Sequence, residues 1–484
     1  MLNPSRDVTT PQNRSTDPER ERSLRLLSDA DRDLTRLVND PKFSRWLAQI
    51  KAIGGCAHPI YLSGSTLTLN PGTGEVVSSY STADEPGERL AVRCGNRRVS
   101  VCPTCSYLHA GDTYQLVRAG LSGGKGVPGA VTERPRLFVT LTAPSFGPVH
   151  HALDGTRCRP RRDGPVCEHG RPLGCGRIHG EDDRLVGLPL CPDCYDYVGH
   201  VLWHAHAGRL WNLFTTAVRR RLASAGGMPR SKLREHLVVS FAKVAEYQKR
   251  AAIHFHGVVR LDGPDGPASA PASWASEELL TDAVTRAAAS TFVTVPESDA
   301  YGTEQLGWGG QFDARPIHPT PDSDGPSGSA VAGYVAKYVT KGAAETGAGL
   351  DYRITTPDDI RAAVVTAHIR ALMTTCWRLG SLAELEHLRL RRWAHSLGYR
   401  GHILTKSRRY STTYGALRAD RADHRRGGPP PGADTVTESA WRFAGSGYTP
   451  AESDFAVGIA EDHAMNRQLA REAWEDAQQW GEWL

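Results

Sequence analysis

The segment Ala251-Ala-Ile-His-Phe-His-Gly-Val-Val259 constrains this chain more than any other. Strand side chains alternate between faces, so a strand here turns Phe255 into a core and His254 and His256 together to the other side. Two imidazoles on one face can grip one metal ion. A second segment, Tyr334-Val-Ala-Lys337-Tyr338, holds two tyrosines four apart. On a helix they share a face, with Lys337 beside them. Metal and tyrosine in one chain suggest phosphodiester transfer through a covalent phosphotyrosine.

The neighbouring sequence supplies a setting for the histidines. His236–Val244 and Ile253–Leu261 read as two paired strands, with Glu246-Tyr-Gln-Lys-Arg250 between them. A carboxylate at Glu246 can cross to the histidine face. Gln248 has the same strand parity and is the alternative. Two imidazoles and one carboxylate suit Mg²⁺ or Mn²⁺ with coordination positions left open. Arg136–Thr142 is a further strand. Its Thr140 and Thr142 share a face and could contact DNA or support the metal, although β-propensity explains threonine there equally well.

The chain has 10 cysteines, and all but Cys376 lie between Cys56 and Cys194. In a chain expected to be cytoplasmic this clustering favours metal over disulfides. Cys94 and Cys102-Pro-Thr-Cys105 need a fourth ligand, which Cys56 supplies best and His58 next. The second set is Cys158, Cys167, Cys175 and Cys191-Pro-Asp-Cys194, with His169 and His179 nearby. It offers more than four donors. Cys167, Cys175, Cys191 and Cys194 are the expected ligands of a second structural Zn²⁺. Cys376 sits in an apolar helix-like stretch and reads as core.

With 484 residues, 39% hydrophobic and 23% charged, the chain suits a globular protein of two or three domains. No apolar run is long enough to span a bilayer and the N-terminus lacks a signal-peptide core, so a cytoplasmic protein without membrane partners is expected. Net charge is only +5, but the stretch Leu388–Arg409 is basic without an acid. Its Arg391, Arg392, Arg400, Lys406, Arg408 and Arg409, interleaved with Trp393, Tyr399, Tyr410 and Tyr414 nearby, suit a surface that tracks a nucleic-acid backbone and stacks bases. Strands mixed with helices and hairpins argue for an α+β class. The expected organisation is a disordered segment 1–18, an N-terminal helix and first zinc region at 19–130, and a catalytic core at 131–345 with a Cys-rich insertion at 151–195. A basic helical region at 346–427 and a Pro-rich linker with a variable tail at 428–484 follow.

The His254-Phe255-His256 strand, the upstream Phe138-Val-Thr-Leu-Thr142 strand and the downstream Tyr334-Val-Ala-Lys337-Tyr338-Val-Thr-Lys341 helix resemble, in that order, the HUH endonucleases. The tyrosine segment looks like the paired-tyrosine motif of microvirus-type phage initiators. From about Cys56 to Leu417 the chain resembles replication initiators of actinobacterial plasmids and integrative conjugative elements. The resemblance implies a central antiparallel sheet with helices behind it and a third metal ligand in the Glu246 region. It also implies nicking of single-stranded origin DNA by a tyrosine, with a 5′-phosphotyrosine link and a free 3′-hydroxyl for a host polymerase. Both Tyr334-x-x-Lys337 and Tyr338-x-x-Lys341 fit the nucleophile pattern, and Tyr334 is the first choice by its place in the motif. Gly123-Gly-Lys-Gly126 lacks the spacing of a nucleotide-binding loop, so unwinding falls to a host helicase. The rival readings are a paired-tyrosine transposase or relaxase, and a non-catalytic zinc-containing DNA-binding regulator.

Overall fold

The computed structural model describes residues 28–152, 155–159, 166–302, 305–318, 326–340, 350, 352–425 and 435–481. The protein is mixed α+β, and every pair of neighbouring strands in its sheets is antiparallel. The described residues form two compact units, one falling within Met1–Asn96, Val101–Cys105 and Pro431–Leu484, the other within Arg97–Ser100 and Ser106–Pro430.

The first unit starts with helices α1 (Asp29–Val38) and α2 (Phe43–Ala52). The Ser28 hydroxyl caps α1 by accepting from the Asp31 amide at 3.2 Å. Helical spacing runs on through this region, but Pro41 disfavours a helical Asp40, and the chain breaks there into two helices. Strand β1 (Ile60–Leu69) follows and pairs with β2 (Val76–Ser81) and β3 (Leu90–Val92). Helix α3 (Pro103–Ser122) begins in this unit and carries the chain into the second.

The second unit is built on β4 (Arg136–Leu141), helix α4 (Tyr197–Ala225) and the hairpin of β5 (Val238–Tyr247) and β6 (Ile253–Asp262). Then come α5 (Glu277–Ser290), the short pair β7 (Phe292–Thr294) and β8 (Gln305–Gly307), and β9 (Phe312–Pro316). Helices α6 (Gly328–Thr340), α7 (Pro357–Ala362) and α8 (Ala367–Leu379), strand β10 (Leu404–Lys406) and α9 (Tyr414–Arg425) complete it. Five strands make one sheet in the order β10-β5-β6-β4-β9.

Both faces of this sheet are covered, which explains why β5 and β6 read as nearly continuous apolar runs. On one face Leu137, Val139, Leu141, Ala245, Phe255 and Val259 pack with Leu202, Trp203, Leu210, Trp211 and Phe214 of α4. On the other, Ala242, Val244 and Val258 lie with Val331, Ala332, Val335 and Val339 of α6 and with Leu116, Val117 and Leu121 of α3. The α6 positions recur at helical spacing, so one stripe of that helix is committed to the sheet. Buried Arg260 forms a two-pronged ion pair with Asp262 at 2.8 Å on each prong and bonds the Gly120 carbonyl near the end of α3.

The remaining chain returns to the first unit. Strand β11 (Val436–Ser446) pairs with β1 from Ile60 to Leu69, and Phe455 of α10 (Pro450–Gly481) sits 5.4 Å from the Phe43 ring and 6.1 Å from Trp46. The segment read from sequence as linker and tail therefore adds a strand to the sheet of β1, and a helix whose Ala456 and Ile459 join the core of Trp46 and Ile50. Among the described residues no helix is long and apolar enough to cross a membrane.

Candidate active site

The hairpin register places Glu246 directly opposite His254, and Val244 opposite His256. On the other side of β6, Thr140 of β4 stands opposite His256. Directly paired residues share a sheet face, so the carboxylate and both imidazoles converge. Glu246 Oε2 is 3.1 Å from His254 Nε2 and 3.2 Å from His256 Nε2, and the two nitrogens are 3.1 Å apart. An octahedral cation with ligands at about 2.1 Å has adjacent donors about 3.0 Å apart. The three donors thus fit one face of such an ion, which leaves further positions open.

The electrostatics agree with that fit. Burial opposes ionisation of Glu246, but its bonds to His254 and His256 outweigh burial and hold the carboxyl at about 2. Burial lowers the His256 pKa against the pull of Glu246, which favours the neutral, ligating ring. The outer nitrogens are occupied too. His256 Nδ1 is 3.0 Å from the Thr140 hydroxyl, and His254 Nδ1 is 3.5 Å from the Gln248 amide. Partners on the outer nitrogen fix the tautomer and aim of a ligating histidine. Gln248, the alternative ligand in the sequence, thus stands behind His254. The Phe138 ring stacks on His256 at 5.7 Å and meets Tyr334 edge-on at 5.9 Å.

Helix α6 crosses this face on its Val331, Val335 and Val339 stripe, which turns Tyr334 toward the triad. The Tyr334 hydroxyl lies 2.9 Å from His256 Nε2 and 3.3 Å from Glu246 Oε2. Lys337 follows nearly one turn later and is exposed. Tyr338 lies on the same helix, with only its backbone described, and Lys341 falls outside the described residues.

The cysteines form three groups, not two. Cys56, Cys94, Cys102 and Cys105 come together as expected, with Cys56 Sγ 3.8 Å from Cys102 Sγ and 3.6 Å from Cys105 Sγ. A tetrahedral zinc with sulfur at 2.3 Å spaces its ligands by about 3.8 Å. His58 is not in this group. Cys167, Cys191 and Cys194 gather with His169, whose Nδ1 is 3.2 Å from Cys194 Sγ. Cys175 does not join them; it groups with His150, Cys158 and His179. His150 escaped sequence reasoning because it stands outside the C-x2-C units. Its signal was a His-His doublet ahead of Cys158. These Cys and His groups could each hold a metal ion such as zinc. Cys376 is buried, as a core residue should be.

The basic segment is only partly a surface. Arg391, Arg392, Arg400, Arg408 and Arg409 are exposed, while Lys406 Nζ bonds the carbonyls of Ser407, Arg408 and Ser411 at 3.0–3.4 Å. Tyr399 and Tyr410 are 3% and 0% exposed, so neither offers the stacking ring expected of it. Arg408 and Arg409 line a cleft of about 840 Å³ together with Arg219, Arg230 and Arg234.

No solved structure matches the chain. A "Replication initiator protein" of Streptomyces ambofaciens is 45% identical over 456 residues, covering 92% of this chain and 95% of the relative. Residues 42–461 match the RepSA family, described as "Replication initiator protein, pSAM2". With most of its length matched, the chain belongs to the RepSA family of replication initiators.

Proposed function

We propose that this initiator is an HUH-type endonuclease that nicks and rejoins single-stranded origin DNA through a tyrosine, as in rolling-circle replication. The observation that carries the reading is the Tyr334 hydroxyl at 2.9 Å from His256 Nε2, beside the convergent triad of Glu246, His254 and His256. Glu246, His254 and His256 would hold Mg²⁺ or Mn²⁺. Such an ion, when bound, supplies Lewis-acid polarisation of a phosphate oxygen.

The chain's own residues account for the rest. Packing of α6 on the sheet holds the nucleophile beside the phosphate position, which removes most of the orientational cost of attack. The tyrosine oxygen forms a bond to phosphorus and the bond to the 3′ oxygen breaks. The phenolic proton leaves and the 3′ oxygen takes up a proton, so no water is consumed and the phosphotyrosine can be resealed. Lys337 offers positive charge to the pentacovalent phosphate. Tyr338, and Lys341 after it, would serve a second cleavage once the origin is regenerated, with Tyr334 acting first. Arg408 and Arg409, with the neighbouring arginines of their cleft, suit the DNA backbone at the far end of β5 from Glu246, on the order of 20 Å away. A host helicase and polymerase would act on the opened strand and its 3′-hydroxyl.

The test is incubation of the full chain with labelled single-stranded origin oligonucleotides and Mn²⁺, followed by peptide mapping of the adduct. The expected adduct is on Tyr334, and Tyr334→Phe loses first-strand cleavage. Adducts that persist in the Tyr334→Phe/Tyr338→Phe double variant overturn the reading.

A further inference from the structure

We infer that the insertion between β4 and α4 is a cross-braced module that binds two zinc ions. One would be held by His150, Cys158, Cys175 and His179, the other by Cys167, His169, Cys191 and Cys194. In chain order the donors come as pairs: His150 with Cys158, Cys167 with His169, Cys175 with His179, and Cys191 with Cys194. The first and third pairs meet in one group, and the second and fourth in the other. Each ion therefore closes a loop that contains ligands of its neighbour.

The distances in the first group suit a tetrahedral ion. His150 Nδ1 is 3.3 Å from His179 Nε2 and 3.9 Å from Cys158 Sγ, and Cys175 Sγ is 3.3 Å from His179 Nε2. Zinc with nitrogen near 2.0–2.1 Å and sulfur at 2.3 Å spaces such donors by about 3.3–3.8 Å. A second observation points to a ligand. His179 is buried, and its outer nitrogen, Nδ1, lies 2.6 Å from Asp183 Oδ2. The other Asp183 oxygen accepts from the Leu185 amide at 2.9 Å. A carboxylate behind a histidine, itself anchored to backbone, is the arrangement that orients a metal-bound imidazole.

Backbone bonds keep the groups apart. Cys158 donates to the Arg177 carbonyl at 2.7 Å, and Gly176 returns a bond to Cys158 at 2.8 Å, which ties the second residue of the first pair to the third pair. Cys167 and Arg171 close their own turn at 2.9 Å. Among the described residues, no helix or strand lies between Leu141 and Tyr197. A segment with so little regular structure has a small apolar core, and metal cross-links supply the missing folding energy.

Native mass spectrometry and a chelator-competition assay on the full chain decide the matter. Cys175→Ser and Cys194→Ser should each lose one zinc, and the double variant two. Asp183→Asn keeps all eight donors and should weaken a single zinc by about 10–100-fold while the others hold. It serves as the test if a cysteine variant fails to fold. The inference is overturned if the two single variants lose the same ion and the double loses no more. It is equally overturned if Asp183→Asn leaves every zinc at native affinity, or if Cys158 and Cys175 are recovered as a disulfide from native protein. None of these readouts involves DNA cleavage, so the outcome is independent of the proposed activity.

Discussion

Replacing Thr140 with valine tests whether the triad binds metal as its geometry suggests. The change is nearly isosteric and removes one hydroxyl, which lies 3.0 Å from His256 Nδ1. When Nε2 is the ligating nitrogen, Nδ1 carries the proton and donates to that hydroxyl. His256 is buried, so an orphaned N–H there costs about 1–3 kcal/mol. Loss of such an outer partner typically weakens metal binding by about 10–100-fold. The Phe138 ring, stacked on the imidazole at 5.7 Å with planes 5° apart, still holds the ring's orientation. The expected loss is therefore near the lower bound, about tenfold, or about 1.4 kcal/mol.

Mn²⁺ titration followed by electron paramagnetic resonance gives the affinity, and cleavage at varied Mn²⁺ gives the half-saturating concentration. Both should shift about tenfold, with the rate at saturating Mn²⁺ close to native. Thr142→Val is the control, because the Thr142 hydroxyl donates to the Gln311 carbonyl and not to a triad residue. An unshifted Mn²⁺ midpoint in Thr140→Val refutes the reasoning, as does an equal shift in both variants.

Two further perturbations probe the scaffold. Asp262→Ala strands the fully buried Arg260 without its carboxylate and should cost about 3–5 kcal/mol in urea unfolding; a loss below about 1 kcal/mol would show that the pair is not desolvated. Lys243 is 4% exposed, with its ammonium 4.0 Å from the Phe255 ring centre, and burial lowers its pKa from 10.5 to about 7. A depressed lysine costs stability fully below its folded pKa, and that cost fades as pH rises toward its unfolded value. Lys243→Met should therefore stabilise the protein by about 3 kcal/mol near pH 6, after allowing for the lost cation–π contact, and by little near pH 10. An equal gain at both pH values sinks this account.

The legible parts of the site were those set by short-range geometry. Alternation alone put His254 and His256 on one face, and a two-strand hairpin brought Glu246 across, because cross-strand pairing follows from the register. The approach of Tyr334 was not legible in the same way. Its helix shows a valine stripe, but a stripe says only that a core exists, and the choice of sheet face is tertiary. Thr140 was easily mistaken for simple β-propensity, since nothing local shows that it faces a ring nitrogen. The C-x2-C units pointed to clustered donors, yet the partition of their partners depended on the backbone ties between Cys158 and Gly176–Arg177. Strand β11 was invisible for a plainer reason. Nearly all its residues are exposed, so it has no apolar alternation to betray it. In the basic segment, charge was counted correctly, but Tyr399 and Tyr410 had already been taken by the core.

The alternation that turns the two histidines to one face also turns the residue between them into the core, and this links chemistry to stability. Phe255 meets Trp308 at 5.7 Å and Trp211 at 6.0 Å, which fixes the height of β6 between its two layers. Because His254 and His256 flank that anchor, core packing sets the backbone from which their rings meet 3.1 Å apart, with Glu246, Thr140 and Gln248 aiming the rings. The same holds for Tyr334, whose position follows from Val331 and Val335 on the sheet. A close-packed interior transmits displacement, so volume changes at Phe255 or Val335 should act on the triad even though neither residue offers it a polar atom. The insertion enters through the same route, since it leaves the sheet just after β4, whose Thr140 supports His256. Its Cys and His groups and the triad are therefore separate in chemistry but joined by one strand.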